Sequence, residues 1–124
     1  MCNSIHVSIR DLKEEDFLEL NGIYINVLRA INELLTVGNV FNFYRQSQIQ
    51  LARDNFTRRQ KDLRIFNGNL SLQSLQESIK ILDDLVNVIS CFSSNYIYRQ
   101  MNVFIASQRR LRTFTNLIFD LENC

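Results

Sequence analysis

LQSLQESIKILDDLV, residues 72–86, sets Leu72, Leu75, Ile79, Leu82 and Val86 at alternating steps of three and four. That interval matches the turn of an α-helix and puts all five side chains on one face, whereas a strand would alternate every second residue. Asn69 or Ser71 can cap the free amides ahead of it. The spacing predicts a helix over 72–92 with one apolar stripe, the shape of a helix that packs against others.

The rest of the chain repeats this grammar on both sides. Upstream, Ser8 is a candidate cap, and Asp11, Glu14, Glu15 and Asp16 suit the positive end of a helix over 8–37. Its apolar positions are Phe17, Leu20, Tyr24, Val27, Ile31 and Leu34, supported by Leu28 and Leu35; the phase runs through Gly22, which predicts one helix with a weak point. Gly38 is a natural stop. A second helix is expected over 40–66, with a stripe of Phe41, Tyr44, Ile49, Ala52, Phe56, Leu63 and Phe66 and a polar gap at Arg59, ending at the Asn67-Gly68-Asn69 turn. Downstream, Ser93-Ser94-Asn95 turns the chain into a helix over 96–122 that shows Ile97, Met101, Phe104, Leu111, Phe114, Ile118 and Leu121 on one face.

Four long amphipathic helices with short links favour antiparallel neighbours. The expected fold is all-α: one domain over residues 1–124, an up-down-up-down four-helix bundle about 35–40 Å long. Charge agrees, because the four segments carry −3, +4, −2 and +2, so every adjacent pair in a square bundle joins unlike signs. Each surface contact is worth only about 0–1 kcal/mol, but the pattern disfavours wrong pairings.

Composition narrows function mainly by exclusion. The 124 residues contain no proline, so nothing interrupts long helices, and a net charge of +1 gives no global field toward nucleic acid or anionic membrane. No apolar run approaches the roughly 18 residues of a membrane span, and the opening segment lacks the apolar centre of a signal peptide. His6 is the only histidine, which leaves no material for a Ser-His-Asp or Cys-His arrangement, a zinc site or the Glu-x-x-His pairs of a di-iron bundle. The three glycines stand apart, so there is no phosphate-cradling loop. The expectation is a non-enzyme with no cofactor and no catalytic or metal-binding residue. Cys2, Cys91 and Cys124 are too scattered for a metal or a disulfide framework and read as free thiols, Cys91 being a small core residue. These features suggest a cytoplasmic protein. The glycosylation triplets at Asn55 and Asn69 keep open a secreted, cytokine-like ligand with an upstream leader removed and one disulfide formed.

Within 72–86, Leu75, Ile79, Leu82 and Val86, with the acidic Asp84, resemble the amphipathic helix by which pro-apoptotic ligands of the Bcl-2 family occupy a partner's groove. The resemblance covers about a dozen residues, and where that pattern has a small residue before the acid this chain has Asp83. It implies a helix donated to a partner protein; a stripe facing the chain's own core uses the same residues.

A second row, Ile81, Leu85, Val88 and Phe92, makes about half the circumference of the C-terminal half of this helix apolar, more than one pair of bundle neighbours covers. With Tyr96, Tyr98 and Phe119 nearby, it is the expected partner surface, for a second copy of the chain or another helical protein. The expected function is therefore a non-catalytic protein–protein interaction module, a small regulator of signalling or cell death by analogy of fold. The other candidate surface is basic: Arg53, Arg58, Arg59, Lys61 and Arg64 on the second helix, with Arg109, Arg110 and Arg112 on the fourth. If these converged they could neutralise several phosphates of a nucleic acid, with affinity falling steeply in salt.

Overall fold

Asn42 decides where the second helix begins. Its side-chain Oδ1 accepts from the Arg45 amide at 2.9 Å, and its carbonyl accepts the first helical bond from the Gln46 amide at 3.0 Å. That is N-capping geometry, so the helix starts at Phe43 and not at residue 40 as the pattern suggested. The computed structural model describes residues 14–36, 41–65, 72–90 and 95–122. It contains helices α1 (Glu14–Thr36), α2 (Phe43–Ile65), α3 (Leu72–Ile89) and α4 (Asn95–Glu122), with no strand among the described residues. The expected start of the first helix at Ser8, together with Gly38, the Asn67–Asn69 turn and Cys91, lies outside them.

α1 packs on α2 and α4, and α3 packs on the same two helices, which closes a four-membered ring with α1 and α3 on one diagonal. The apolar stripes line its centre. Leu20, Tyr24, Val27, Ile31 and Leu34 come from α1, Ile49 and Phe56 from α2, Leu75, Leu82, Leu85 and Ile89 from α3, and Ile97, Phe104, Leu111, Phe114 and Ile118 from α4. Phe41, just ahead of the cap, is buried with them. α1 runs unbroken through Gly22, where a Cβ would meet open space.

Tyr44 departs from the expected stripe and is largely exposed. It stands five residues before Ile49, which at about 100° per residue is roughly 140° away from the buried line.

The core carries one polar thread. Tyr24, with no exposed surface, stacks on Phe56 with ring centroids 4.6 Å apart. Its hydroxyl lies 2.6 Å from Ser78 Oγ across the diagonal, and Ser78 donates onward to the Ser74 carbonyl at 2.9 Å. Ser74 Oγ then donates to Asp62 of α2 at 3.2 Å. Buried hydroxyls need such partners, and this chain of bonds ties three helices together at mid-bundle.

Candidate interaction surface

Ser78 explains how α3 is turned. Counted as a core residue, it completes the row Leu75, Ser78, Leu82, Leu85, Ile89, spaced three-four-three-four and buried throughout. The expected row of Leu72, Leu75, Ile79, Leu82 and Val86 is displaced from it by about 60°. Leu75 and Leu82 belong to both rows and are fully buried, while Leu72, Ile79 and Val86 are half-buried against the core. The anchors of the groove-ligand resemblance are thus turned into the chain's own core.

The same rotation sorts the second row. Leu85, expected on a partner surface, is 1% exposed and belongs to the core. Ile81 and Val88 are half-buried on the side of α3 that faces α2. There they line a groove of about 430 Å³ with Leu51, Ala52, Gln48 and Asn55 of α2. Leu51 is 60% exposed on its rim. Tyr44, seven residues before Leu51 and so on the same helix face, continues the apolar strip and accepts a hydrogen bond from Gln48 at 3.3 Å. Tyr98 is exposed on α4 and is not part of this groove. Phe92 lies outside the described residues, as do the side chains of Tyr96, Phe119 and Arg64.

The groove changes character along its length. Beyond Ile81 and Asp84 it opens into a second hollow of about 300 Å³ lined by Arg58, Arg59, Glu77 and Lys80. Arg59 binds Glu77 across the helices and lies 3.4 Å from Asp62, so it is a strut, half-buried along its stem. Arg58 and Lys80 are exposed and form no ion pair with a described residue. Asn55 lines both hollows, so a glycan attached there would occupy the groove.

The arginines do not gather into one basic face. α2 and α4 lie on opposite corners of the ring without packing together. Arg110 grips Glu19 of α1 through a fork of 2.5 and 2.7 Å and sits over the Phe114 ring at 4.8 Å. This contact holds the Glu19 carboxyl below its ordinary range and raises Arg110 further. Arg112 lies 3.4 Å from Asp83 of α3, which also accepts from Gln108. Arg53 is 3.6 Å from its neighbour Asp54. Arg58, Lys61 and Arg109 are exposed without such partners among the described residues.

Leu51 joins this surface although it lies off the apolar stripe expected of α2. Its signal was a leucine roughly 140° off the Ile49–Phe56 line in an otherwise polar stretch. No group of three or more His, Cys, Asp or Glu side chains capable of holding a metal occurs among the described residues, and none of their helices is long and apolar enough to cross a membrane. Comparison with protein-family models, curated proteins and solved structures finds no match.

Proposed function

We propose that this chain is a non-catalytic interaction module, an up-down-up-down bundle that pairs with a second copy of itself through the α2–α3 groove. The observation that carries this reading is the apolar strip of Tyr44, Leu51, Ile81 and Val88, two of them largely exposed, beside a charged hollow. Antiparallel packing is supported by the pairing of Glu19 with Arg110 and Glu33 with Gln100, and of Arg59 with Glu77 and Asp62 with Ser74. In both sets the residue numbers rise on one helix as they fall on the other.

Self-pairing follows from charge. α2 carries +4 and α3 carries −2. A two-fold axis parallel to the helices sets α2 of one copy against α3 of the other, so apolar strips meet while unlike charges flank them. Nucleic-acid binding has less support, because the arginines are divided between opposite corners and several are engaged by carboxylates.

The test is solution mass by light scattering over a range of protein and salt concentrations under reducing conditions. The expected result is a dimer that persists at high salt, as an apolar contact should, and that Leu51→Asp converts to a monomer with unchanged helicity. A wild-type monomer at every concentration, or a dimer indifferent to both Leu51→Asp and Ile81→Asp, would reject self-association through this groove.

A further inference from the structure

The cross-helix charges of this bundle are mostly matched, as in Arg59 with Glu77, Arg110 with Glu19 and Arg112 with Asp83. The α1–α4 side departs from that matching, as the Arg58–Lys80 end of the α2–α3 groove does. Between α1 and α4, on the other side of the ring from the α2–α3 groove, lies a trough of about 460 Å³. Small side chains leave room for it: Ala30 and Ser107, which are buried, and Ala106, which is exposed. Arg29 and Arg99 line it from opposite helices, and neither forms an ion pair or hydrogen bond with a described residue. The one carboxylate on the lining, Glu33, is engaged by Gln100 Nε2 at 2.8 Å, and the third guanidinium, Arg110, is committed to Glu19.

We propose that the α1–α4 trough is a binding site for a small organic anion, with Arg29 and Arg99 holding the charged head against the Ser107 hydroxyl and the Asn26 amide. The chemistry follows from the donors. Arg29 and Arg99, neither held in an ion pair, outnumber the single lining carboxylate of Glu33 and present planar N–H forks matched to a phosphate or carboxylate, and Ser107, 8% exposed, adds a hydroxyl. Ile23, Ala30, Val103 and Ala106 give the trough apolar walls, so the ligand has a compact apolar body behind its head. The volume falls within the roughly 300–1,000 Å³ of small-molecule sites. The site is independent of the proposed α2–α3 dimer contact, since the two share no residue.

The experiment is a titration followed by amide and arginine side-chain NMR. The probes are phenyl phosphate and benzoate, which distinguish a phosphate head from a carboxylate head, and benzyl alcohol is the neutral control. Saturable shifts at Asn26, Arg29, Arg99 and Ser107 with at least one anion and none with the alcohol are expected. Arg29→Gln and Arg99→Gln, both surface changes, should each weaken binding about tenfold or more, while Arg58→Gln leaves it unchanged. Shifts spread evenly over all exposed arginines, unaffected by Arg29→Gln or Arg99→Gln, would overturn the assignment, as would the lack of saturation with both anions.

Discussion

Removing the Tyr24 hydroxyl should make the protein weaker near neutrality and relatively stronger in alkali. Tyr24 sits on the α1–α3 diagonal, fully buried and stacked on Phe56, and Ser78 is already the donor to the Ser74 carbonyl, so the tyrosine donates to Ser78. Burial pushes the Tyr24 phenol from 10.0 up to about 12, against the downward pull of the Ser78 hydrogen bond. At pH 7 the phenol is neutral in both folded and unfolded chains, so Tyr24→Phe removes only one hydrogen bond, and the expected loss is about 0.5–1.5 kcal/mol. Ser78 keeps its bond to Ser74 in the variant, which holds the loss to that range.

Above pH 10 the wild type behaves differently from the variant. The unfolded chain gives up the phenolic proton at its ordinary value while the folded protein retains it until about 12. A raised folded-state pKa means that the stabilisation is complete below the unfolded value and is lost as pH climbs through the folded one. The slope is about 1.4 kcal/mol per pH unit, so the wild type loses on the order of 2–3 kcal/mol from this group between pH 10 and 12. Tyr24→Phe has no such term. The difference between the two proteins should therefore shrink above pH 10 and change sign before pH 12. Urea unfolding at steps from pH 7 to 12, with phenolate absorbance recorded in parallel, measures it. Parallel stability curves for the two proteins across that range would refute the reasoning, because they would mean that Tyr24 ionises in the folded state as readily as in the unfolded one.

Four further outcomes are expected. Gly22→Ala should stabilise the protein by about 0.5–1 kcal/mol in thermal unfolding, since a Cβ there meets nothing within 4 Å and alanine restricts the unfolded chain. Leu82→Ala should cost about 2–5 kcal/mol in urea unfolding, while Asp84→Ala, two residues on and exposed, should stay within about 0.5 kcal/mol. Asn42→Ala should lose about 0.5–2 kcal/mol by removing the α2 cap, measured as a drop in midpoint with unchanged helicity. Arg110→Gln should let the Glu19 carboxyl titrate higher, followed by side-chain carbonyl NMR. In the wild type the lowered folded-state value means that this contact stabilises above the unfolded carboxylate pKa and fades as pH falls through the folded one.

Much of the architecture was legible in the chain because helical period is a local property. Proline-free segments with apolar residues three and four apart form helices whatever they pack against, so the α1 and α4 stripes emerge in the structure almost residue for residue. Local chemistry misled at the cap: Phe41 and Asn42 read as helix by pattern, but the Asn42 side chain competes for the amides and starts the helix at Phe43. The candidate site was less legible. Ile81 and Val88 stand out along the chain as surplus apolar surface, but nothing in their spacing shows the α2 residues across from them, Leu51 above all.

The rotation of α3 was decided only in three dimensions. With apolar residues at 72, 75, 79, 81, 82, 85, 86, 88 and 89, the helix has two overlapping stripes, and hydrophobicity alone cannot rank them. The choice falls to a serine that a hydropathy reading discards. Tyr24 reaches across the diagonal and needs a partner for its buried hydroxyl, Ser78 supplies it, and meeting that bond turns Leu85 inward and moves Ile81 and Val88 to the groove. The sequence by itself determined the helices, their order and their charge alternation, because those depend on neighbours along the chain. Which face each helix buries, and so which residues are left for another molecule, depends on a hydrogen bond between residues 54 positions apart.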